Sequence, residues 1–319
     1  LGDKLNFAFY WTAGCGGCEV ATLDIDEKIL DVAELANIVL WPIAMDFKYE
    51  DIENMDDDNI DVSFINGAIR NTEQREIAEL LREKSKVVVA FGACACHGGI
   101  PSLGNFHNKD EIFQEAYVDT ISTNNPDNNL PTPKTEVAEG ELTIPEFFDT
   151  VYKLDDLIEV EYYLPGCPPS TDLIIKAVEA IANDNLPPVG SVIASKKTVC
   201  DECDREKKEK KVKEFRRPYE VDVDPELCLL EQGIICCGSA TTGGCGANCP
   251  TVNMPCRGCY GPTSEVADQG AKLLSAVASV IDSDDQEEIA KIAKDILDPG
   301  GTFYRFGMSN SLLKRKKLG

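Results

Sequence analysis

Fourteen cysteines and only two histidines, His97 and His107, are spread over 319 residues. In a reducing compartment so many thiols read as metal ligands or redox groups rather than disulfides. A thiolate-rich, histidine-poor set points to soft-ligand metal chemistry, with iron–sulfur as the leading reading. It disfavours mixed cysteine–histidine zinc sites and a histidine-based metal catalyst. The stretch WTAGCGGCEVATLDI (11–25) sets Cys15 and Cys18 among three glycines. A lone C-x-x-C fits a thioredoxin-like redox pair or half a zinc site equally well. The pair therefore takes its meaning from where the other cysteines fall.

The first half of the chain alternates strand and helix patterns. KLNFAFYW (4–11), ANIVLW (36–41), IDVSFIN (60–66), KVVVAFG (86–92) and IEVEYYLPG (158–166) read as strands. Helices are expected over roughly 19–35, 71–84, where Asn71 or Thr72 would form the cap, and 169–184. Such alternation predicts a mostly parallel sheet with helices on both faces. Three cysteine groups then share one structural position. Cys15 and Cys18 follow the first strand, Cys94 and Cys96 the fourth, and Cys167 the fifth. Each lies just past a carboxyl end, where open α/β sheets bind ligands. Glycines beside each group let the backbone approach a bulky inorganic cluster. Four thiolates from three strand ends would hold one 4Fe–4S cube, with either Cys94 or Cys96 to spare.

NLPPVGS (185–191) reads as a linker, and the character of the chain then changes. The charged run DREKKEKKVKEFRR after Cys203 reads as a solvated helix face. Residues 225–262 hold seven cysteines among many glycines and prolines, and bound metal is the expected source of their order. Cys200-x-x-Cys203, Cys228, Cys236, Cys237, Cys245, Cys249 and Cys256-x-x-Cys259 supply enough thiolates for two further cubes with one over, either Cys236 or Cys237. A spare buried cysteine would behave as a small apolar residue. Helical stretches are expected near 265–281 and 285–297, and the basic tail LLKRKKLG is expected to be exposed.

A net charge of −25, from 56 acidic and 31 basic residues, argues against nucleic acid as a partner. No apolar run approaches the roughly 18 residues of a membrane span. The start, LGDKLNFAFYW, has no export signal, so a cytoplasmic protein is expected.

GCGGC (14–18), GACACHGG (92–99) and PGCPPS (165–170), in this order, resemble the small subunit of nickel–iron hydrogenases. The resemblance implies an α/β fold, with a flavodoxin-like, mostly parallel sheet domain over 1–185. A loop- and helix-rich iron–sulfur domain would follow over 186–319. In that family the cluster nearest the nickel site is bound by C-x-x-C, the cysteine of G-x-C-x-x-x-G-G and the cysteine of G-C-P-P. Carried over, the ligands are Cys15, Cys18, Cys94 and Cys167, which selects Cys94 over Cys96. The far cluster usually uses His-x-x-Cys and two later cysteines. Here Cys200 stands where histidine is common, giving Cys200, Cys203, Cys228 and Cys236, with CCGS (236–239) favouring Cys236 over Cys237. The middle cluster is often 3Fe–4S. Here Cys245, Cys249, Cys256 and Cys259 offer four thiolates and imply a third 4Fe–4S cube.

The stretch from Cys228 to Thr263 is most similar to cytoplasmic, methyl-viologen-reducing enzymes of methanogenic archaea that do not reduce the deazaflavin coenzyme. The resemblance implies a nickel–iron centre in a large subunit, a 2Fe–2S partner subunit and docking to heterodisulfide reductase. The chain itself would relay electrons. The alternatives are the small subunit of a nicotinamide-reducing hydrogenase and, from the cysteines alone, a zinc-stabilised scaffold. Glu19 would tune the first cluster or pass protons, or serve as a helix N-terminal acid.

Overall fold

Six parallel strands form the spine of the computed structural model, which describes residues 4–209 and 211–317. Across the sheet they run Ser191–Val192, Tyr162–Leu164, Ser85–Phe91, Ile60–Asn66, Leu5–Trp11 and Ala36–Leu40. Every neighbouring pair is parallel. Counted along the chain, the first five strands lie in the order 2-1-3-4-5, the flavodoxin-like arrangement expected.

Strand periodicity explains both faces. Phe7, Phe9, Val62, Phe64, Val89 and Phe91 point to one side. Ala8, Ile65, Val88 and Ala90 point to the other. Helices Gly17–Leu23, Lys28–Leu35 and Thr171–Ala182 cover the first face through Ala21, Val32, Leu173 and Ala177. Helix Thr72–Lys84 covers the second through Ile77, Ala78 and Leu81. Each fully buried large side chain contributes about 1.5–3 kcal/mol. Asn71 supplies the cap of Thr72–Lys84, its Oδ1 accepting from the Gln74 amide at 2.9 Å.

Four expectations need correction. The helix over 19–35 is two helices, broken at a turn where Asp26 takes a φ of 55°. The strand over 158–166 shrinks to Tyr162–Leu164, because the Glu161 side chain itself accepts from the Val88 amide at 2.7 Å. The reading of 185–191 as a linker misses that Ser191 pairs with Tyr162 at the sheet edge. The charged run after Cys203 is extended rather than helical, tied by bridges at Glu206–Leu227 and Val212–Ile281. Val212 and Phe215 are buried there; Lys210 of that run lies outside the described residues.

The middle of the chain adds strand Phe147–Tyr152, antiparallel to Ile69–Asn71, and a short exposed hairpin of Lys134–Val137 with Gly140–Thr143. The second half has its own core of Val199, Phe215, Leu230, Leu273, Val277 and Phe303, into which Cys237 and Cys256 pack. Helices Gln269–Ala278 and Gln286–Ala293 fall within the expected stretches. The tail returns to the sheet domain: Asn105 Nδ2 donates to the carbonyls of Val151 and Lys314, both at 3.0 Å. Leu312 and Leu313 are exposed, as expected for the tail; its last two residues, 318–319, lie outside the described residues. No described helix is long and apolar enough to cross a membrane.

Candidate metal centres

Three strands deliver the first set of thiols. Leu5–Trp11 ends in the loop carrying Cys15 and in helix Gly17–Leu23, which carries Cys18. Ser85–Phe91 runs into helix Gly92–His97, which carries Cys94. Tyr162–Leu164 ends just before Gly166 and Cys167. Cys15 and Cys167 are exposed, while Cys18 and Cys94 are half-buried. The Gly17 amide donates to Cys15 Sγ at 3.4 Å. Burial pushes the Cys18 thiol well above its ordinary value, and neighbouring Cys94, Cys167 and Cys15 push it the same way. Burial, with Cys167 and Cys15, pushes Cys94 up to about 12. Thiols that destabilise one another's anions in this way form a cradle for a cation, which reverses the effect by holding them as thiolates.

Two glycines make room for these sulfurs. A Cβ at Gly92 would lie 2.3 Å from Cys18 Sγ, and one at Gly99 2.3 Å from Cys94 Sγ. Both glycines also take positive φ. Cys96 has a different environment. It is two residues from Cys94 and so faces the opposite side of the helix. Its Sγ is buried and donates to the Ala90 carbonyl at 3.2 Å.

Cys200, Cys203, Cys228 and Cys236 are brought together in the second half. Burial pushes Cys200 up to about 12, reinforced by Cys236 and, less strongly, Cys228 and Cys203. A cavity of about 290 Å³ opens between Cys200, Cys228 and Cys236, with Thr198, Lys207 and Ser239 on its wall. A Cβ at Gly238 would press on Cys200 Sγ at 3.1 Å.

Cys245, Cys249 and Cys259 form the third grouping. Burial pushes Cys259 up to about 12, opposed by the Cys167 backbone and reinforced by the Cys167, Cys245 and Cys249 side chains. Cys256 lies between this group and the preceding one. Its amide donates to Cys236 Sγ at 3.3 Å, and its carbonyl accepts from the Cys237 amide at 2.9 Å. Cys237 is buried in the apolar core of the second half. Among the described residues, no three histidine, cysteine or carboxylate side chains converge closely enough to hold one metal ion. A cube spreads its ligands over four metal corners and so needs a wider cradle than a single zinc.

Glu19 is nearly fully buried, at 2% exposed. It accepts hydrogen bonds from Trp41 Nε1 and Asn66 Nδ2. Burial raises its carboxyl, opposed by these two bonds. It is therefore more than a helix N-terminal acid. Its partners come from other strand ends, so local sequence carried no signal for them. A cavity lined by Trp11, Glu19, Trp41, Ile43 and Tyr49 opens beside it.

A family model described as "NADH ubiquinone oxidoreductase, 20 Kd subunit" matches residues 15–181. The chain is 42% identical over 318 residues to the iron–sulfur subunit of an F420-non-reducing hydrogenase from Archaeoglobus profundus, covering 98% of each. It is 41% identical to an F420-non-reducing hydrogenase subunit of Methanothermobacter thermautotrophicus, covering 99% of this chain and 98% of that one. The delta subunit of an NAD-reducing hydrogenase from Cupriavidus necator is 28% identical, covering 56% of this chain and 79% of that one. Among solved structures, a chain of an NAD+-reducing [NiFe]-hydrogenase superposes with a TM-score of 0.50 at 27% identity, covering 58% of this chain and 94% of that one. With these likenesses added to the cysteine cradle past the strand ends, the chain belongs to the family of F420-non-reducing hydrogenase iron–sulfur subunits, the small subunits of nickel–iron hydrogenases.

Proposed function

We propose that this chain is the electron relay of a cytoplasmic nickel–iron hydrogenase. It takes electrons from dihydrogen oxidised at a nickel–iron centre in a large subunit and passes them through three 4Fe–4S clusters to a 2Fe–2S subunit docked to heterodisulfide reductase. When bound, iron–sulfur clusters supply reversible one-electron transfer at potentials set by their surroundings. Cys15, Cys18, Cys94 and Cys167 would hold the cluster nearest the large subunit. Cys245, Cys249, Cys256 and Cys259 would hold the middle one, and Cys200, Cys203, Cys228 and Cys236 the far one. Cys96 and Cys237 are the two thiols left over, and both pack as apolar side chains. The division into a sheet domain over 1–185 and an iron–sulfur domain over 186–319 is part of this reading, with the sheet's edge strand Ser191–Val192 lying past that boundary.

The observation that carries the proposal is the convergence of Cys15, Cys18, Cys94 and Cys167 from three strand ends, with Cys259 adjoining Cys167. Contacts then continue from Cys256 to Cys236. The chain's own residues do three things here. Its thiolates hold iron, Gly92 and Gly99 leave space for the sulfurs, and backbone amides bond to sulfur at Cys15 and Cys236. Trp11, Val20, Ile43 and Ile100 are exposed around the first set. This apolar rim suits a large, obligate interface with the subunit carrying the nickel.

Iron analysis of the natively purified complex tests the proposal. About twelve irons per chain are expected from three cubes, and about four or fewer would reject the relay. Replacing Cys94 with Ser should abolish the first cluster's spin-resonance signal, while Cys96→Ser should leave it. An intact signal in the Cys94→Ser variant would overturn the ligand assignment. A nicotinamide-reducing assembly is the alternative, favoured by the likeness to the NAD-reducing relative over the first domain. Co-purification of a flavin subunit in place of heterodisulfide reductase would establish it.

A further inference from the structure

Arg205 is a cation buried to 8% exposure. Its guanidinium is fully engaged. Nε and Nη2 donate to the Pro250 carbonyl at 3.0 and 2.9 Å. Nη1 donates to the carbonyls of Asp224 and Leu227 at 2.7 and 2.8 Å. Nη2 also donates to Asn253 Oδ1. All of these acceptors are neutral. The Asp224 carboxylate is turned to its own loop, where Oδ1 accepts from the amides of Glu226 and Leu227. Arginine keeps its proton at any pH a protein survives. The result is a permanent buried charge, solvated by dipoles and without an ion-pair partner among the described residues.

Its location gives that charge a role. Arg205 follows Cys203 by two residues, Leu227 precedes Cys228, and Pro250 follows Cys249. One guanidinium therefore clamps loops belonging to both second-half cysteine sets. We propose that Arg205 is a potential-setting cation: it makes the iron–sulfur groups held by these two sets easier to reduce. The inference rests on the cluster assignment proposed above. Reduction brings one electron from a donor and changes no bond in the chain, so the group becomes more negative by one unit. A fixed positive charge in a low-dielectric interior favours that state. Glu202 opposes it on one side, its carboxylate accepting from the amides of Gly244 and Gly246 at 2.6 and 3.1 Å.

The test is a spin-resonance-monitored redox titration of the iron-loaded complex carrying single variants of this chain. Asn253→Asp places a carboxylate on Nη2 and leaves every other hydrogen bond of Arg205 in place. At fixed potential it should shift the oxidised-to-reduced ratio of at least one second-half cluster about tenfold toward oxidised, which is 59 mV for a one-electron couple. The cluster of Cys15, Cys18, Cys94 and Cys167 should move less than about twofold, because charge effects weaken with distance. Arg205→Lys keeps the charge and should stay near the unsubstituted protein, whereas Arg205→Gln should move as Asn253→Asp does. An Asn253→Asp complex with full iron and unmoved ratios would overturn the proposal. So would Arg205→Lys shifting as far as Arg205→Gln, the mark of a purely structural clamp. Should Arg205→Gln fail to retain iron, the Asn253→Asp measurement decides alone. Iron content is read separately, and about four irons or fewer in the unsubstituted complex would overturn the cluster assignment and this inference together.

Discussion

Replacing Gly92 with Ala asks whether Cys18 Sγ is fixed where the structure places it. Gly92 has a φ of +85°, a conformation that costs an L-residue roughly 1–2 kcal/mol. The added Cβ would also meet Cys18 Sγ at 2.3 Å, where ordinary contact begins at 3.4 Å. The pair must therefore part by about 1 Å, several times the roughly 0.2 Å by which metal–ligand distances vary. Gly190 provides the control. Its φ is +87°, yet nothing lies within 4 Å of a Cβ built there. Both variants suffer the backbone strain, but only Gly92→Ala displaces Cys18 Sγ. Anaerobic purification followed by iron analysis and spin resonance reads the difference. Gly92→Ala should lose the first cluster, about four irons of about twelve, and keep the other signals. Gly190→Ala should keep all its iron and lose only about 1–2 kcal/mol of stability. Full iron and an unchanged first-cluster signal in Gly92→Ala would refute the placement of Cys18 as a ligand behind Gly92.

Two further outcomes are expected. His97 is buried against Gly261, where a Cβ would come within 2.1 Å of Nε2; burial, aided by Lys153, pushes its imidazole down to about 4. The unfolded chain takes up that proton near pH 6.5, so stability is complete above that value and falls as pH drops toward 4, by about 2 kcal/mol at pH 5. Urea unfolding at pH 5 and 7.5 should show this loss in the unsubstituted protein and a flatter profile in His97→Gln; equal slopes would exclude His97 as the source. Asn105→Ala should free the tail, since the amide donates to Val151, Ser309 and Lys314 and accepts from the Val151 amide at 2.8 Å. A loss of about 2–3 kcal/mol and faster trypsin cleavage after Lys314 are expected, and unaltered cleavage would show that the tail is held by other contacts.

The strands over 4–11, 60–66 and 86–92 were legible because each is a short run rich in aromatic or β-branched residues, the run over 86–92 being continuous as in a strand buried on both faces. Position past the ends of the first, fourth and fifth strands was equally legible, which is why Cys15, Cys18, one of Cys94 and Cys96, and Cys167 group together on the residues alone, with the family resemblance selecting Cys94. What escaped depends on partners distant in sequence. Ile69–Asn71 is a strand only because Phe147–Tyr152 lies beside it. The run after Cys203 looked helical by its charge. Yet the Val212 amide bonds to the Val280 carbonyl and the Asp282 amide to the Val212 carbonyl, at 2.8 and 2.9 Å. Tertiary pairing there overrides local propensity. Arg205 was hidden for the same reason, since its acceptors lie 19 to 48 residues away along the chain.

Order in the second half follows a different physics from order in the first. In the sheet domain apolar side chains fill both faces, and the cysteines are passengers at strand ends. Beyond residue 198 the buried cluster that contains Val199, Leu230, Leu273 and Val277 also takes in Cys237 and Cys256, with Cys203, Cys228, Cys236 and Cys245 packed against it. Under the proposed assignment five of these six thiols bind iron, so metal and core are one structure and binding free energy is folding free energy. Loops so poor in apolar residues can then hold fixed positions without a sheet beneath them. The same dependence keeps the groups in sequence. Cys259 adjoins Cys167 just past a strand end, and Cys256 is hydrogen-bonded to Cys236. Under that assignment, a loop that settles on its metal would thereby also be set in line between the sheet and the far cysteines. Under the proposed relay, electron transfer breaks no bonds in the chain, so this alignment would be the contribution that the protein itself makes.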